Sequence, residues 1–334
     1  MAFDLTVLWA GIIGFAIFAY VVMDGFDLGI GILFPLFDVG DERDQAMNSI
    51  APVWDGNETW LVLGGGGLLA AFPLAYAIIL PATYPLIIAM LLGLVFRGVA
   101  FEFRWRDPRH RAFWDLAFSA GSIIAAMAQG MVLGALLQGI EVDGRAYAGS
   151  WWDWLTPYTL LTGIGTMAGY ALLGSTWLNW KTEGGCQHRA RRIARIAAFA
   201  TLALMAAVSL ANLALDDQYR ERWLSMPELA LAAPLPLLSA VLGLMLLRDL
   251  AGKRREARPF LLALGLFLLG TLGLGFTIWP YAVPFALTIW ETAAPHRSQS
   301  FMLVGVGLTL PLILAYTGWA YWIFRGKVGT HGYH

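Results

Sequence analysis

Long apolar segments separated by short polar stretches fill most of the chain. Segments of about 20 apolar residues are long enough for an α-helix to cross the hydrocarbon core of a bilayer. The sequence predicts nine such helices, over residues 7–34, 58–80, 84–103, 113–139, 157–180, 193–215, 229–247, 260–280 and 301–324. The connections are too short to bury a core of their own. We therefore predict an all-α integral membrane protein with one domain, residues 1–334, whose nine helices fit two four-helix bundles plus one peripheral helix.

The basic residues predict how these helices are oriented. The chain has 22 Lys and Arg residues, and 18 of them lie in or beside alternate connections and the C-terminal tail. Those on the opposite side number four: Arg145, Arg220, Arg222 and Arg297. Because loops rich in Lys and Arg stay on the cytoplasmic side, this split predicts an outside N-terminus and a cytoplasmic C-terminus.

Composition excludes several classes of protein. Hydrophobic residues make up 58% of the chain and charged residues only 13%, which excludes a soluble enzyme. A net charge of −1 argues against a general affinity for nucleic acid. The single cysteine, Cys186, can form neither an intrachain disulfide nor a Cys-x-x-Cys site.

The histidines argue against a haem held by this chain. All of them fall in loops or in the tail, at His110, His188, His296, His331 and His334. Haem in a helix bundle usually needs an axial histidine, so we expect no histidine-ligated haem and no metal site here. A methionine ligand stays open, although the eleven methionines are better explained as core packing.

Two acids lie deep in the first predicted helix, within M-D-G-F-D-L-G-I-G. Asp24 and Asp27 are three residues apart and therefore share one helix face. Counting from residue 34 puts them on the order of 10–15 Å inside the helix end. Two neighbouring carboxylates favour a group that holds and passes a proton. The alternative is structural pairing with Arg97.

A second acidic pair begins the second predicted helix, within S-I-A-P-V-W-D-G-N-E-T-W. Asp55 precedes Glu58 by three residues, in the pattern of an N-cap followed by an acid in the first turn. Capping explains both residues as well as a proton-conducting role does.

Glu102, within R-G-V-A-F-E-F-R, reaches the same level from the third predicted helix. It could extend a ladder of acids toward Asp24. The alternative is that it pairs with Arg97 or Arg104. On the opposite side, an aromatic-rich loop contains Trp290, Glu291 and His296. We expect this loop either to contact a quinone or a partner or simply to pack against the bundle.

These motifs together resemble subunit II of cytochrome bd-type quinol oxidases, including their cyanide-insensitive relatives. The resemblance rests on five strings in the same order, namely M-D-G-F-D-L-G-I-G, N-S-I-A-P-V-W-D-G-N-E-T-W, F-R-G-V-A-F-E-F-R, L-T-I-W-E-T and A-Y-T-G-W-A-Y-W. The first two strings are specific, and the others support them. The matches run nearly the full length of the chain.

The resemblance implies a complex in the bacterial inner membrane with a haem-bearing subunit I. That partner would carry haems b and d, or b alone, and the quinol site, and the complex would reduce oxygen to water. Cytoplasmic protons would pass through acids of this chain. By motif these are Asp24, Asp27, Asp55 and Glu102, with Glu58 as a further candidate. Some members have Asp at the position of Glu102, which leaves the geometry of the path open.

The resemblance leaves further partners open, among them a structural quinone, lipids and small accessory subunits. Two other hypotheses for the function also stay open. The chain could be a proton-coupled secondary transporter, for which intramembrane acids are equally expected. It could also be a purely structural scaffold for subunit I.

Overall fold

The computed structural model describes residues 4–252 and 255–329. Within these residues, nine helices have 18 residues or more: α1 (Leu5–Leu33), α3 (Trp54–Ala71), α4 (Pro73–Arg106), α5 (Arg111–Leu137), α6 (Pro157–Lys181), α7 (Gly184–Asn212), α10 (Pro234–Ala251), α11 (Arg258–Ile278) and α13 (His296–Ile323). The shorter helices are α2 (Asp41–Asn48), α8 (Asp217–Leu224), α9 (Glu228–Ala232) and α12 (Ile289–Thr292). Two antiparallel hairpins are formed by β1 (Val142–Asp143) with β2 (Ala146–Tyr147) and by β3 (Tyr281–Val283) with β4 (Leu287–Thr288).

Seven helical segments among the described residues are long and apolar enough to cross a membrane. They are Leu5–Leu36, Pro73–Arg106, Pro108–Leu137, Gly184–Asn212, Glu228–Ala251, Arg258–Ile278 and His296–Ile323. Helices α3 and α6 are 18 and 25 residues long but are not among the seven. The all-helical membrane class is therefore confirmed, whereas the count of nine spans stays a prediction.

The structure differs from the prediction at the boundary between the second and third helices. The apolar pattern is interrupted at residues 81–83, but the chain turns at Phe72 instead, and α4 continues through Pro81 and Pro85. Pro73 suits the first turn of α4, where no backbone N–H is needed. Inside a membrane helix, neighbouring groups compensate for proline, and the Thr83 hydroxyl donates to a carbonyl at 2.7 Å.

Helix α1 lies at the centre of the bundle and packs against α3, α5 and α6. Its contact with α6 is a close backbone approach. A Cβ atom added to Gly29 would lie 1.8 Å from the Tyr170 carbonyl oxygen, and one on Gly174 would lie 2.6 Å from the backbone of Gly29. Glycine at these positions allows the two helices to meet, as small residues do in membrane bundles.

The loops of the two ends of the bundle pack separately. Contacts join residues 34–54, 104–115, 181–189, 249–258 and 324–328 at one end, which we call the basic end. The two hairpins, α8, α9 and α12 lie at the opposite end. This separation agrees with the alternation of basic loops in the sequence, and the orientation in the membrane stays a prediction. Lys253, Arg254, His331 and His334 lie outside the described residues.

Candidate functional site

Two carboxylates and one guanidinium group meet in the interior, near the basic end. Asp24 and Asp27 come from α1 and Arg97 from α4, and each is 0% exposed. The Nη1 atom of Arg97 lies 2.6 Å from Oδ1 of Asp24, and Nη2 lies 3.6 Å from Oδ2 of Asp27. We call these three residues the buried ionic group. The structure thus contains the Arg97 pairing that the sequence suggested, at a depth where an ion pair is costly to desolvate.

Close helix packing positions the buried ionic group. Helices α4 and α5 approach so closely that a Cβ on Gly121 would lie 2.4 Å from the Gly93 carbonyl oxygen and 3.0 Å from the Arg97 backbone nitrogen. Gly25 and Gly29 lie on a different face of α1 from the two aspartates and pack against α6. The acidic face of α1 is therefore left for Arg97 and α3.

Asn57 of α3 connects the buried ionic group to α13. Its Nδ2 atom donates to Oδ2 of Asp27 at 2.8 Å and to the Met23 carbonyl oxygen at 3.3 Å. Its Oδ1 atom accepts a hydrogen bond of 2.8 Å from the Tyr321 hydroxyl. Neither Asn57 nor Tyr321 was predicted from the sequence, although they lie in N-S-I-A-P-V-W-D-G-N-E-T-W and A-Y-T-G-W-A-Y-W. A search restricted to charged residues passes over neutral polar side chains.

Three neutral polar side chains extend from Asp24 into the bundle. The Tyr170 hydroxyl donates to Oε1 of Gln129 at 2.7 Å, and Nε2 of Gln129 donates to the Tyr20 hydroxyl at 2.6 Å. Tyr20 in turn interacts with Asp24. This chain of hydrogen bonds was not predicted from the sequence either. The sequence feature that could have indicated it is the presence of a polar side chain inside each of three apolar helices, at Tyr20, Gln129 and Tyr170.

Asp55 and Glu58 lie in the first turns of α3. The N-cap of α3 is Val53, which makes no side-chain cap hydrogen bond, so Asp55 is an acid of the first turn and not the N-cap. Asp55 is exposed, whereas Glu58 is half-buried and within electrostatic range of Arg97 and Asp24. The structure therefore places Glu58 closer than Asp55 to the buried ionic group.

Glu102 does not pair with Arg97 or Arg104, which the sequence offered as its partners. Its side chain is 62% exposed and lies 3.3 Å from Nη2 of Arg106, one helical turn further on. Arg104 turns to another face of α4 and binds Asp44 at 2.9 Å and Asp115 at 2.5 Å. Glu102 is consequently a surface residue and does not touch the acids of α1.

A cavity of about 380 Å³ opens beside Glu102. It is lined by Asn48, Ala51, Trp54, Phe101, Glu102, Trp105 and Arg106. The Trp54 ring also faces Arg97, since the ring centroid is 5.8 Å from the guanidinium carbon of Arg97. One indole ring therefore contacts both the cavity and the buried ionic group.

The aromatic loop of the opposite end is held by its own hydrogen bonds. Trp290 Nε1 donates to Oδ2 of Asp4 at 2.8 Å, and this bond lowers the pKa of Asp4. Glu291 forms a capping box with Thr288, whose backbone N–H lowers the pKa of Glu291. His296 begins α13. These contacts account for packing of the loop, and its contact with a quinone or partner stays a prediction.

In the part of the chain that the structure describes, no group of three or more His, Cys, Asp or Glu residues could hold a metal ion. The fold and the site together define a polytopic α-helical membrane protein with a buried cluster of acids. The chain belongs to the family of cytochrome bd terminal oxidase subunit II, whose family model matches residues 5–324.

Relatives of known identity agree with this assignment. Cytochrome bd-I ubiquinol oxidase subunit 2 of Escherichia coli (strain K12) is 30% identical, over 96% of this chain and 94% of the relative. Cytochrome bd ubiquinol oxidase subunit 2 of Bacillus subtilis (strain 168) is 27% identical, over 96% of each. The bd oxidase structure from Geobacillus thermodenitrificans contains a chain with the same fold, with a TM-score of 0.76, 17% identity and coverage of 97% and 99%. The resemblance drawn from the motifs is confirmed, and the chain is a multi-pass protein of the bacterial inner membrane.

Proposed function

We propose that this chain delivers cytoplasmic protons to the oxygen-reducing centre of a bd-type oxidase and stabilises the subunit that holds this centre. Family membership makes the chain a subunit of a quinol:oxygen oxidoreductase. Reduction of oxygen to water consumes protons, and these must cross part of the membrane from the aqueous side. The observation that carries the proposal is the buried ionic group of Asp24, Asp27 and Arg97.

The path begins, on this proposal, at the basic end. Glu102 collects protons at the rim of the cavity, and the cavity brings water as far as the Trp54 ring. Beyond that ring lie Arg97 and the two aspartates. Asp55 and Glu58 offer a second route along the first turns of α3. Intramembrane acids that face the protein interior commonly mark such proton routes.

The redox chemistry belongs to the partner. We expect haems b and d, or b alone, in subunit I, together with the site where quinol is oxidised. Nine spans with an outside N-terminus complete the proposed arrangement, which also leaves room for lipids, a structural quinone and small accessory subunits. Membership in an oxidase family argues against the alternative hypothesis that the chain is a proton-coupled transporter. The scaffold hypothesis is separated from the proton path by the following experiment.

Asp24→Asn and Asp55→Asn are expected to slow oxygen consumption by the purified complex, on the order of tenfold, because the first removes a carboxylate of the buried ionic group and the second removes a group that can carry a proton. The complex should still copurify with a tag on this chain and keep its reduced-minus-oxidised haem spectrum. Asp143→Asn is the matched control, since Asp143 is an exposed acid at the opposite end of the bundle. Normal turnover in both variants would defeat the proton path and leave the scaffold role.

A further inference from the structure

The buried ionic group contains more acid than base. Asp24, Asp27 and Arg97 are all 0% exposed, so two ionised carboxylates would leave an uncompensated negative charge in the bundle interior. Such a charge is strongly disfavoured in a medium of low dielectric constant. One bound proton makes the group neutral. The buried ionic group is therefore expected to hold one proton between two carboxylates.

The groups around the two aspartates do not change this balance. Among the described residues, the polar side chains that face them are one cation, one acid and otherwise neutral groups. By helix these are Tyr20 of α1, Asn57 and Glu58 of α3, Arg97 of α4, Gln129 of α5, Tyr170 of α6 and Tyr321 of α13. Glu58 adds negative charge and so strengthens the need for a proton.

The contacts of the two carboxylates differ. Asp24 has the short ion pair with Arg97, at 2.6 Å, and lies next to the Tyr20 hydroxyl. Asp27 is 3.6 Å from Arg97, and its Oδ2 atom accepts the Asn57 hydrogen bond. The other oxygen of Asp27, Oδ1, is buried and has no hydrogen-bond partner among the described residues, and the same holds for both oxygens of Asp24. The two carboxylates therefore differ in their distance to Arg97 and in the Asn57 hydrogen bond. A nearby guanidinium favours the ionised form of a carboxyl group, so the shorter ion pair favours ionised Asp24 and leaves Asp27 as the better place for the proton.

We propose that Asp24 is the permanent counter-ion of Arg97, whereas Asp27 holds the transferable proton on Oδ1. Asn57 and Tyr321 act as positioning residues, since they orient the Asp27 carboxyl group from α3 and α13. This assignment rests on the proposed proton path and deepens it.

The proton balance follows from the contacts. When Asp27 releases its proton toward the oxygen-reducing centre, where it is consumed in the formation of water, the negative charge left on the Asp27 carboxylate is stabilised by Arg97 and the Asn57 amide. A proton arriving from the basic end then forms a new O–H bond on Asp27 and restores neutrality. Asp24 keeps its charge throughout, so Arg97 is never without a partner.

Isotope-edited infrared spectroscopy of the assembled oxidase at neutral pH tests the assignment. The difference between complexes with ordinary and carboxyl-¹³C aspartate isolates the C=O stretch of protonated aspartic acid, independently of turnover. Asn57→Leu removes the hydrogen bond to Asp27 and should raise the frequency of this band. Tyr20→Phe alters the surroundings of Asp24 and of Gln129 but not those of Asp27, so it is the matched variant and should leave the band in place.

A band that moves in Tyr20→Phe and not in Asn57→Leu would overturn the assignment, as would the absence of a protonated aspartate band in the unmodified complex. Tyr321→Phe is a milder second variant for the case that Asn57→Leu does not assemble. It removes the hydrogen bond that anchors Asn57 and should give a smaller shift, and no shift in that variant would contradict the proposal.

The two proposals fail in distinguishable ways. Normal oxygen consumption in Asp24→Asn and Asp55→Asn defeats the proton path, whatever the infrared band does. Slow turnover in those variants, combined with a band that responds only to Tyr20→Phe, defeats the division between the two aspartates and leaves the path intact.

Discussion

Arg104 illustrates, at the scale of single residues, how a charge is held inside the basic end. Its side chain is fully buried and bridges Asp44 of α2 and Asp115 of α5. Arg43, also of α2, lies 2.8 Å from Asp115, and Arg111 pairs with Asp44. Each carboxylate therefore has two basic partners, and the network joins three segments of the chain.

Arg104→Gln is expected to destabilise the subunit by about 3 kcal/mol, because it leaves the buried carboxylate of Asp115 and the partly buried one of Asp44 without a full complement of partners. The loss should appear as a lower melting temperature and a lower yield of assembled complex. Arg106→Gln is the control on the same helix, since Arg106 is exposed and pairs only with exposed Glu102. Equal stability of the two variants would show that the buried network contributes nothing beyond a surface pair.

Helix α1 depends, at the scale of elements, on glycine at some positions and not at others. Gly29 lies against the backbone of α6, whereas a Cβ on Gly11 of the same helix would meet no atom within 4 Å. Helix propensity is the same for the two sites, but packing distinguishes them.

Gly29→Ala is expected to push α1 away from α6 and to cost about 3 kcal/mol or more, since overpacking at a backbone contact cannot be relieved by a side-chain rotation. Thermal unfolding of the purified complex measures the effect. Gly11→Ala should be neutral or slightly stabilising. If Gly29→Ala melted at the same temperature as Gly11→Ala, the close approach of the two helices would be refuted.

Helix α13 packs loosely against the rest of the bundle and is attached to it mainly near its two ends. None of the most apolar 18-residue window of α13 is buried within this chain, so the helix lies at the edge of the described bundle. Its hydrogen bonds to the bundle are few but specific. Tyr321 reaches Asn57 near the basic end, and Gln299 contacts the Trp9 indole and Thr6 near the opposite end.

At the scale of the whole molecule, the segment after α13 connects to two other parts of the basic end. Lys327 lies 2.8 Å from Oε2 of Glu256, and the Val328 backbone N–H donates to the Lys181 carbonyl oxygen at 2.8 Å. The hydrogen bond from Lys327 lowers the pKa of Glu256, and the amide of Gln187 lowers it further.

This contact should depend on pH. The folded-state pKa of Glu256 is lowered. The contact between Glu256 and Lys327 therefore stabilises the folded chain fully above the ordinary glutamate pKa, and this stabilisation is lost as the pH falls through the lowered pKa. Limited proteolysis of the tail should therefore accelerate in acid, and Glu256→Gln should give the same acceleration at neutral pH. Glu183→Gln is the control, since Glu183 is 72% exposed and 3.8 Å from Lys327. Equal cleavage of both variants would rule out the contact.

The sequence by itself determined the membrane class, the family and the position of Asp24 and Asp27 on one face of the first helix, deep in the bundle. Each of these follows from properties that act over short stretches of chain. Apolar length decides whether a segment can enter a bilayer, and a spacing of three residues places two acids on one helix face. Alternating charge similarly indicates which loops share an end of the bundle.

Only the tertiary structure decided which side chains meet across helices. The partners of Glu102 and Arg104, the turn at Phe72, and the hydrogen bond between Asn57 and Tyr321 depend on how helices rotate and approach one another. Asn57 and Tyr321 are 264 positions apart, and no local pattern reports a contact over that distance. The bundle joins them because the faces that α1, α3 and α13 present to one another are selected by the packing of all the helices at once.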